Sequence, residues 1–478
     1  MSSLKKYHFI GIGGAGMSGI AQVLSDLGHE VTGSDLKRSR YTRMLEESGI
    51  DVSFGHAASN VGSADAVVVS TAIPDQNEEV AAARRRGIPV FQRAQVLGEL
   101  MDAKRGIAVA GTHGKTTTTS MIAHAMSLLG MEPTYVVGGE LNDVGSNARC
   151  GSGEWLIAEA DESDGSLVHL KPEIAVVTNI ELDHHSHYSS VDEVVGVFEK
   201  LVGGLPPEGS LVIWDEPLLR KLAASTGARV ATYGVDDGAA GAGNPDLDVA
   251  AAGGADYRAL DVAVDKDGTS FKLSFPGGGR KEVDARLLVR GRHNVLNALA
   301  AVAVLHRLGV EPGKTLAALA KFSGTARRFQ VKGEALGITI VDDYAHHPTE
   351  IKMTLEAARA GGWKRIIAAF QPHLYSRTRY LHDEFGRALN LCDFAVITDV
   401  FGAREEPEPG ISGKLVVDSA LKWGPGARVA YIPKLHDMAA LLLKEIRPGD
   451  LVLTIGAGDI FKVGDELLGA LERQARIA

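Results

Sequence analysis

The stretch Gly106-Ile107-Ala108-Val109-Ala110-Gly111-Thr112-His113-Gly114-Lys115-Thr116 decides the fold. Its first half is apolar, as a strand buried in a parallel sheet must be. Its second half is a glycine turn, and Thr117 to Met126 continues as a helix-competent run. Strand, turn and helix start aim backbone N–H groups and a positive helix end at an anion. Lys115 is then placed to reach the outer phosphates of a nucleotide, and the Thr116 hydroxyl to ligate Mg²⁺. The turn is shorter than the general phosphate loop, because Val109 stands where that pattern has its first glycine. The alternative is a helix N-terminus that merely carries Lys and Thr.

Upstream, residues 1–105 read as a first α/β unit. Tyr7–Ile10 enters Gly11-Ile-Gly13-Gly14-Ala15-Gly16, a helix follows over Met17 to Leu27, and the strand Glu30–Gly33 leads to Ser34-Asp35. Glycines at this spacing with an acid about 20 residues on form the Rossmann fingerprint, for which NAD is the default ligand. Further parallel strands are expected at Ala66–Ser70 and Ile88–Phe91.

Residues 106–325 form a second unit that opens with the phosphate loop. Its strands Trp155–Ala158, Ile174–Thr178 and Ser210–Trp214 each end in polar residues, as at the ligand-binding edge of a parallel sheet. Gly234 to Ala255, rich in Gly, Ala and Asp, reads as a long surface loop. Residues 326–478 form a third unit, with strands at Ile338–Val341, Arg365–Phe370, Phe394–Thr398 and Asp450–Ile455. A second glycine turn, Gly456-Ala-Gly458-Asp459, closes it. The fold class expected is α/β in three domains: N-terminal Rossmann-like, central P-loop ATPase with a parallel sheet, and C-terminal Rossmann-like.

The chain's 478 residues suit about three domains. A net charge of −10 with no basic stripe argues against nucleic acid as a partner. Cys150 and Cys392 are the only cysteines, too few for a disulfide framework or a cysteine metal site. No apolar run approaches the ~20 residues that span a bilayer, and Met1-Ser-Ser-Leu-Lys-Lys lacks the apolar core of a signal peptide. A soluble cytoplasmic protein with no membrane partner is expected.

Several strand ends carry chemistry. Glu159-Ala-Asp161-Glu162-Ser163-Asp164 concentrates acids that need a balancing cation or N–H groups. Beside a phosphate loop that cation is Mg²⁺, with Glu159 nearest the strand as its ligand. An acidic helix cap competes for the others. Glu181-Leu-Asp183-His184-His185-Ser-His187 resembles a zinc cluster but lacks regular helical ligand spacing, so support of a Mg²⁺–nucleotide site is preferred. Asn294 and Asn297 share a helix face and are placed to hold a base, with capping as the competitor for Asn294. Thr325-Ala-Arg327-Arg328-Phe329-Gln330 lies at the junction of the second and third units, where a hinge arginine reaches a γ-phosphate as the domains close. Asp342-Asp343-Tyr344-Ala-His346-His347-Pro348-Thr349-Glu350 offers acids and imidazoles to a substrate amine or carboxylate, and Arg377 offers an anion contact.

These motifs, in this order, resemble the Mur ligases of bacterial peptidoglycan synthesis. The resemblance runs through Gly11–Gly16, Gly111–Thr116, Glu159–Ser163, Asn179–His184, Arg292–Asn297, Arg327–Gln330, Asp342–Pro348, Phe370–Thr378 and Thr454–Asp459. It implies an N-terminal domain for UDP rather than NAD, a central ATPase and a C-terminal domain for the amino acid. It implies the reaction too: ATP phosphorylates the lactyl carboxylate of UDP-N-acetylmuramate, and the L-alanine amine displaces phosphate from the acyl phosphate to leave an amide. By the resemblance, Gly13, Gly14, Ala15, Gly16, Asp35, Ser70, Thr71, Tyr344, His346 and Arg377 contact substrate. Gly111, Thr112, His113, Gly114, Lys115, Thr116, Thr117, Asn294, Asn297, Arg327 and Asp343 hold ATP. Thr116, Glu159 and His184 hold Mg²⁺, and Lys115, His184, Arg327, His346 and Arg377 are catalytic. Lys200, modified in several sister ligases, reads as an ordinary helix-surface lysine. A monomer or weak homodimer is expected. The competitors are a recycling ligase that adds a whole tripeptide, an NAD-dependent oxidoreductase built on Gly11–Gly16 and Asp35, and a non-catalytic nucleotide-binding regulator.

Overall fold

Three sheets follow one another along the chain, and all three send their carboxyl ends toward shared clefts. The computed structural model describes residues 4–163, 165–183, 187–236, 254–279, 282–403 and 405–477. The first sheet contains β1 (Lys6–Ile10), β2 (Glu30–Asp35), β3 (Asp51–Phe54), β4 (Ala66–Val69) and β5 (Val90–Gln92), all parallel, in the order β3-β2-β1-β4-β5. The order reverses between β1 and β4, the place where open α/β sheets bind ligands. Phe9, Ile10, Val67 and Val68 are wholly buried, so this sheet is covered on both faces.

The central sheet contains β6 (Arg105–Ala110), β7 (Thr134–Leu141), β8 (Ser146–Arg149), β9 (Trp155–Glu159), β10 (Ile174–Val177), β11 (Ser210–Trp214), β12 (Arg229–Val235), β13 (Tyr257–Asp265), β14 (Gly268–Ser274) and β15 (Val283–Leu287). Their order is β15-β14-β13-β12-β11-β10-β6-β9-β7-β8. Pairing is parallel from β7 through β13, and antiparallel where β14, β15 and β8 extend the two edges. The expected loop over Gly234 to Ala255 is corrected at its start. Gly234 and Val235 pair with Arg258 and Ala259 as the end of β12, because Val235 is buried in the core beneath this edge. Residues 237–253 lie outside the described residues.

The third sheet contains β16 (Gln330–Ala335), β17 (Ile338–Asp343), β18 (Arg365–Phe370), β19 (Phe394–Ile397), β20 (Val429–Tyr431) and β21 (Asp450–Ile455). It is ordered β16-β17-β21-β18-β19-β20, and only β16 is antiparallel. Its two faces carry separate apolar cores.

The first two sheets share a core. Helix Ala15–Asp26 lies against β7 and β8 at Gly19, where an added Cβ would stand 3.0 Å from Val136 and 3.3 Å from Ala148. Asn147 seals that junction, donating its amide to the Ala15 carbonyl at 2.6 Å. Among the described residues no helix is long and apolar enough to cross a membrane.

Candidate active site

The phosphate loop leaves β6 and turns directly into helix Lys115–Leu128. Loop backbone is fixed by the next strand's end rather than by its own turn. Asn179 accepts from Thr112 N through its carbonyl at 2.9 Å and from His113 N through its side chain at 2.8 Å. Thr178 donates to the His113 carbonyl at 2.5 Å. Gly114 caps the helix at φ +80°, a backbone region that costs an L-residue about 1–2 kcal/mol.

Lys115 folds back over this turn, donating to the carbonyls of Gly111 and Thr112 and to Glu162 at 2.9 Å. Burial alone would lower the ammonium's pKa, but Glu162, Asp161 and Glu159 outweigh it and raise it above the ordinary lysine value. Glu162 is itself pushed up to about 7, by burial first and by Asp161, despite Lys115. Thr116 Oγ1 lies 3.0 Å from both Glu159 oxygens, and Gly138 N holds Glu159 Oε2 at 2.8 Å. A hydroxyl and an oriented carboxylate at the start of helix Lys115–Leu128 make a hard oxygen set, which fits Mg²⁺. His184, expected to assist there, lies outside the described residues.

A pocket at the loop's other side is walled by Thr116 and Thr117, by Trp214 and Tyr233, and by Asn294, Asn297 and Asp343. Asn297 accepts from Thr118 at 3.1 Å and donates to Asn294 at 3.2 Å, and Asn294 donates to the Arg290 carbonyl at 2.7 Å. Aromatic walls with amide groups suit a nucleoside. Asp343 forms the back wall. Its oxygens accept from Ala345 N at 2.7 Å and Phe329 N at 2.9 Å, and burial lifts its carboxyl to about 6 despite Arg328.

A second, larger cleft joins all three sheets. It is lined by Tyr41 after β2, by Lys115, Thr116 and Glu159, and by Arg327, Tyr344 and His346. Arg327 is held rather than swinging, because its guanidinium donates to Asp342 at 2.8 Å and to the Gly456 carbonyl at 2.8 Å. It also stacks on Tyr344 and Phe461. His346 Nδ1 meets the Tyr344 carbonyl at 3.0 Å, which makes Nε2 the acceptor nitrogen, and burial lowers its pKa to about 4. Arg377 is not open to solvent. Buried after Pro372-His373, it grips Asp183, with Nη2–Oδ1 at 2.8 Å.

At the first sheet, Asp35 Oδ2 accepts from Gly13 N at 2.9 Å and so braces the glycine turn. Gly14 caps helix Ala15–Asp26, and Gly16 packs against Arg93. Ser70 and the exposed Thr71 follow β4, whose Val69 pairs with Ile10 just before that turn. Lys200 is exposed in the last turn of helix Val191–Gly203.

Two residues of the quoted strand-end stretches carry no role of their own in the sequence reading, yet line the site. Arg328 lines both cavities, and Glu350 joins it at 3.4 Å while accepting from His346 N at 3.0 Å. Glu350 did leave a signal: with Pro348 at N1 it sits at the third helical position, the place of a capping-box acid. Arg328 left none.

Comparison with known proteins adds the following. Family models match in chain order: "Mur ligase family, catalytic domain" over residues 6–105, "Mur ligase middle domain" over 109–305 and "Mur ligase, glutamate ligase domain" over 327–458. A UDP-N-acetylmuramate–L-alanine ligase from Rubrobacter xylanophilus is 50% identical over 98% of this chain and 100% of its own. Another from Pelotomaculum thermopropionicum is 45% identical over 100% of both. Among solved structures, the UDP-N-acetylmuramate–alanine ligase of Thermotoga maritima superposes with a TM-score of 0.82 at 28% identity, covering 98% of this chain and 100% of that one. A murein peptide ligase from Psychrobacter arcticus gives a TM-score of 0.71 at 24% identity over 98% of each, a likeness of fold alone.

Proposed function

Because this chain belongs to the Mur ligase family, we propose that it joins L-alanine to UDP-N-acetylmuramate at the expense of ATP, in peptidoglycan precursor synthesis in the cytoplasm. The observation that carries the proposal is the cleft lined together by Tyr41, Lys115 and His346, which follow β2, β6 and β17, one strand of each sheet. Three substrates need three binding units that meet at the reacting atoms. We assign residues 1–105 to the UDP-sugar, 106–325 to ATP and 326–478 to the amino acid, in a monomer or weak homodimer.

Lys115 and the loop N–H groups neutralise the phosphates as the γ-phosphoryl group moves to the lactyl carboxylate. Thr116 and Glu159 would hold Mg²⁺, which would supply further neutralisation of phosphate charge. Asn294, Asn297 and Thr117 enclose the nucleoside, and Asp343 closes its pocket. In the second step the alanine amine attacks the acyl phosphate carbon and phosphate leaves. His346, neutral at working pH, offers Nε2 to a proton of that amine. Arg327 and Tyr344 line the same space, and Arg377 positions its neighbour His373 through their 3.2 Å contact. Gly13, Gly14, Ala15 and Gly16 present the helix end to the pyrophosphate, with Asp35, Ser70 and Thr71 at its rim.

Phosphate release should require ATP, Mg²⁺, UDP-N-acetylmuramate and L-alanine together. Assays with glycine, L-serine and the peptidoglycan tripeptide in place of L-alanine test the assignment. Release that needs the tripeptide and ignores L-alanine refutes it in favour of a recycling ligase. Hydride transfer to NAD would refute the ligase class itself.

A further inference from the structure

Apart from Thr116 and Glu159 lies a cluster that the phosphoryl transfer described above does not use, although His113 also borders the nucleoside pocket. His113 in the loop, Glu181 after β10 and His347 before helix Pro348–Ala360 each present a ligand-capable atom, all within 4.8 Å of one another. The two histidines are 6% and 5% exposed. His113 Nε2 and His347 Nε2 are buried with no hydrogen-bond partner among the described residues.

Spacing separates this cluster from an ordinary polar network. His113 Nε2 is 3.5 Å from Glu181 Oε2, and His347 Nδ1, which accepts from Thr349 N at 3.4 Å, is 3.6 Å from the same oxygen. N–H···O bonds usually end near ~3.2 Å. Two ligands on a tetrahedral ion with ~2.1 Å bonds lie ~3.4 Å apart, close to both observed values. The surroundings also match a ligand set. Glu350 Oε1 faces His113 Nδ1 at 3.4 Å, and Thr349 donates to Glu181 Oε2 at 2.7 Å. Carboxylates and hydroxyls in such positions orient metal-binding imidazoles and carboxylates.

We propose that His113, Glu181 and His347 form a site for a divalent transition-metal ion of the Zn²⁺ class, tying the phosphate loop to the turn that follows β17. Two imidazole nitrogens and one carboxylate oxygen suit Zn²⁺, Co²⁺ or Ni²⁺, whereas Mg²⁺ asks for oxygen ligands. The site is therefore chemically distinct from the Thr116–Glu159 pair. An ion there staples the central sheet to the third, because its ligands come from both. The rival occupant is a proton, which would make His113 an imidazolium between Glu181 and Glu350.

Chelator-stripped full-length protein titrated with Zn²⁺ against a chromophoric chelator distinguishes the two. One tight equivalent is expected, indifferent to millimolar Mg²⁺. Glu181→Gln or His347→Asn should weaken it about tenfold or more, while His187→Ala, at an exposed imidazole, should not. His347→Asn alters a helix cap, so the unaltered chain is also titrated with Co²⁺, where ligand-field bands more intense than those of the aquo ion are expected. Absence of both a tight equivalent and such bands, or a tight equivalent that survives both substitutions, overturns the proposal.

Discussion

Arg377 and Asp183 form a bidentate ion pair between the third sheet and the central one, buried on both sides, with Nη2 2.8 Å and 3.0 Å from the two carboxylate oxygens. Removing one partner strands a charge in a dry interface, at a cost of about 3–5 kcal/mol. Asp183→Asn and Arg377→Met should each lower the thermal midpoint markedly. The double variant should be more stable than additivity allows. Strict additivity in a double-mutant cycle would mean that the pair does not couple the sheets.

Lys115 is a point charge in a cage of two carbonyls and Glu162. Lys115→Ala should cut phosphate release about 1000-fold, the scale of losing a preorganised charge contact. Nucleotide should still bind, because the nucleoside pocket stands apart. Lys115→Arg should rescue little, since a planar fork does not fit a cage built for an ammonium. Near-normal turnover in Lys115→Ala would remove the loop from the mechanism.

Much of the site was legible because it sits where apolar strands stop. β6, β9, β10, β17, β18 and β21 are mostly apolar, and the polar residues at or just past their carboxyl ends read as ligand-facing. The antiparallel edge was not legible. In β13 only Tyr257 and Ala259 are buried, and from Asp261 onward exposed and half-buried positions alternate, so the strand carries no continuous apolar run. Nor was the state of the arginines. Arg377 reads as an anion contact, but its partner lies 194 residues earlier in the chain, a pairing no local pattern encodes. Arg327 reads as a hinge arginine in the sequence, but Asp342 and the Gly456 carbonyl hold it in place.

Glu79 is wholly buried in the first domain, where it accepts from Ser34 at 2.7 Å and Asn60 at 3.0 Å and meets His8 at 2.8 Å. Burial alone would raise its pKa, yet His8, Ser34 and Asn60 pull it from 4.5 to about 2. A depressed carboxyl stabilises the fold above its unfolded value and loses that stability as pH falls through the folded one. Here the window runs from about pH 4.5 to 2, and the loss is about 3 kcal/mol. Glu79→Gln should flatten the acid limb of thermal midpoint against pH over that window. An unchanged limb would show that other carboxylates govern acid unfolding.

Gly114 and Asn297 test how the loop and the nucleoside pocket depend on each other. A Cβ on Gly114 would stand 2.7 Å from Asn297 Oδ1, and the residue's φ is +80°. Two penalties therefore act in Gly114→Ala, a clash and a left-handed backbone worth about 1–2 kcal/mol. The KM for ATP should rise about tenfold or more. Adding Asn297→Ala relieves the clash but not the backbone cost, and it removes the acceptor of the Thr118 hydroxyl. The double variant should thus bind ATP no better than Asn297→Ala alone, yet unfold at a higher temperature than Gly114→Ala. Full recovery of ATP affinity in the double variant would mean that the clash is the whole defect and that Asn297 does not hold the nucleotide.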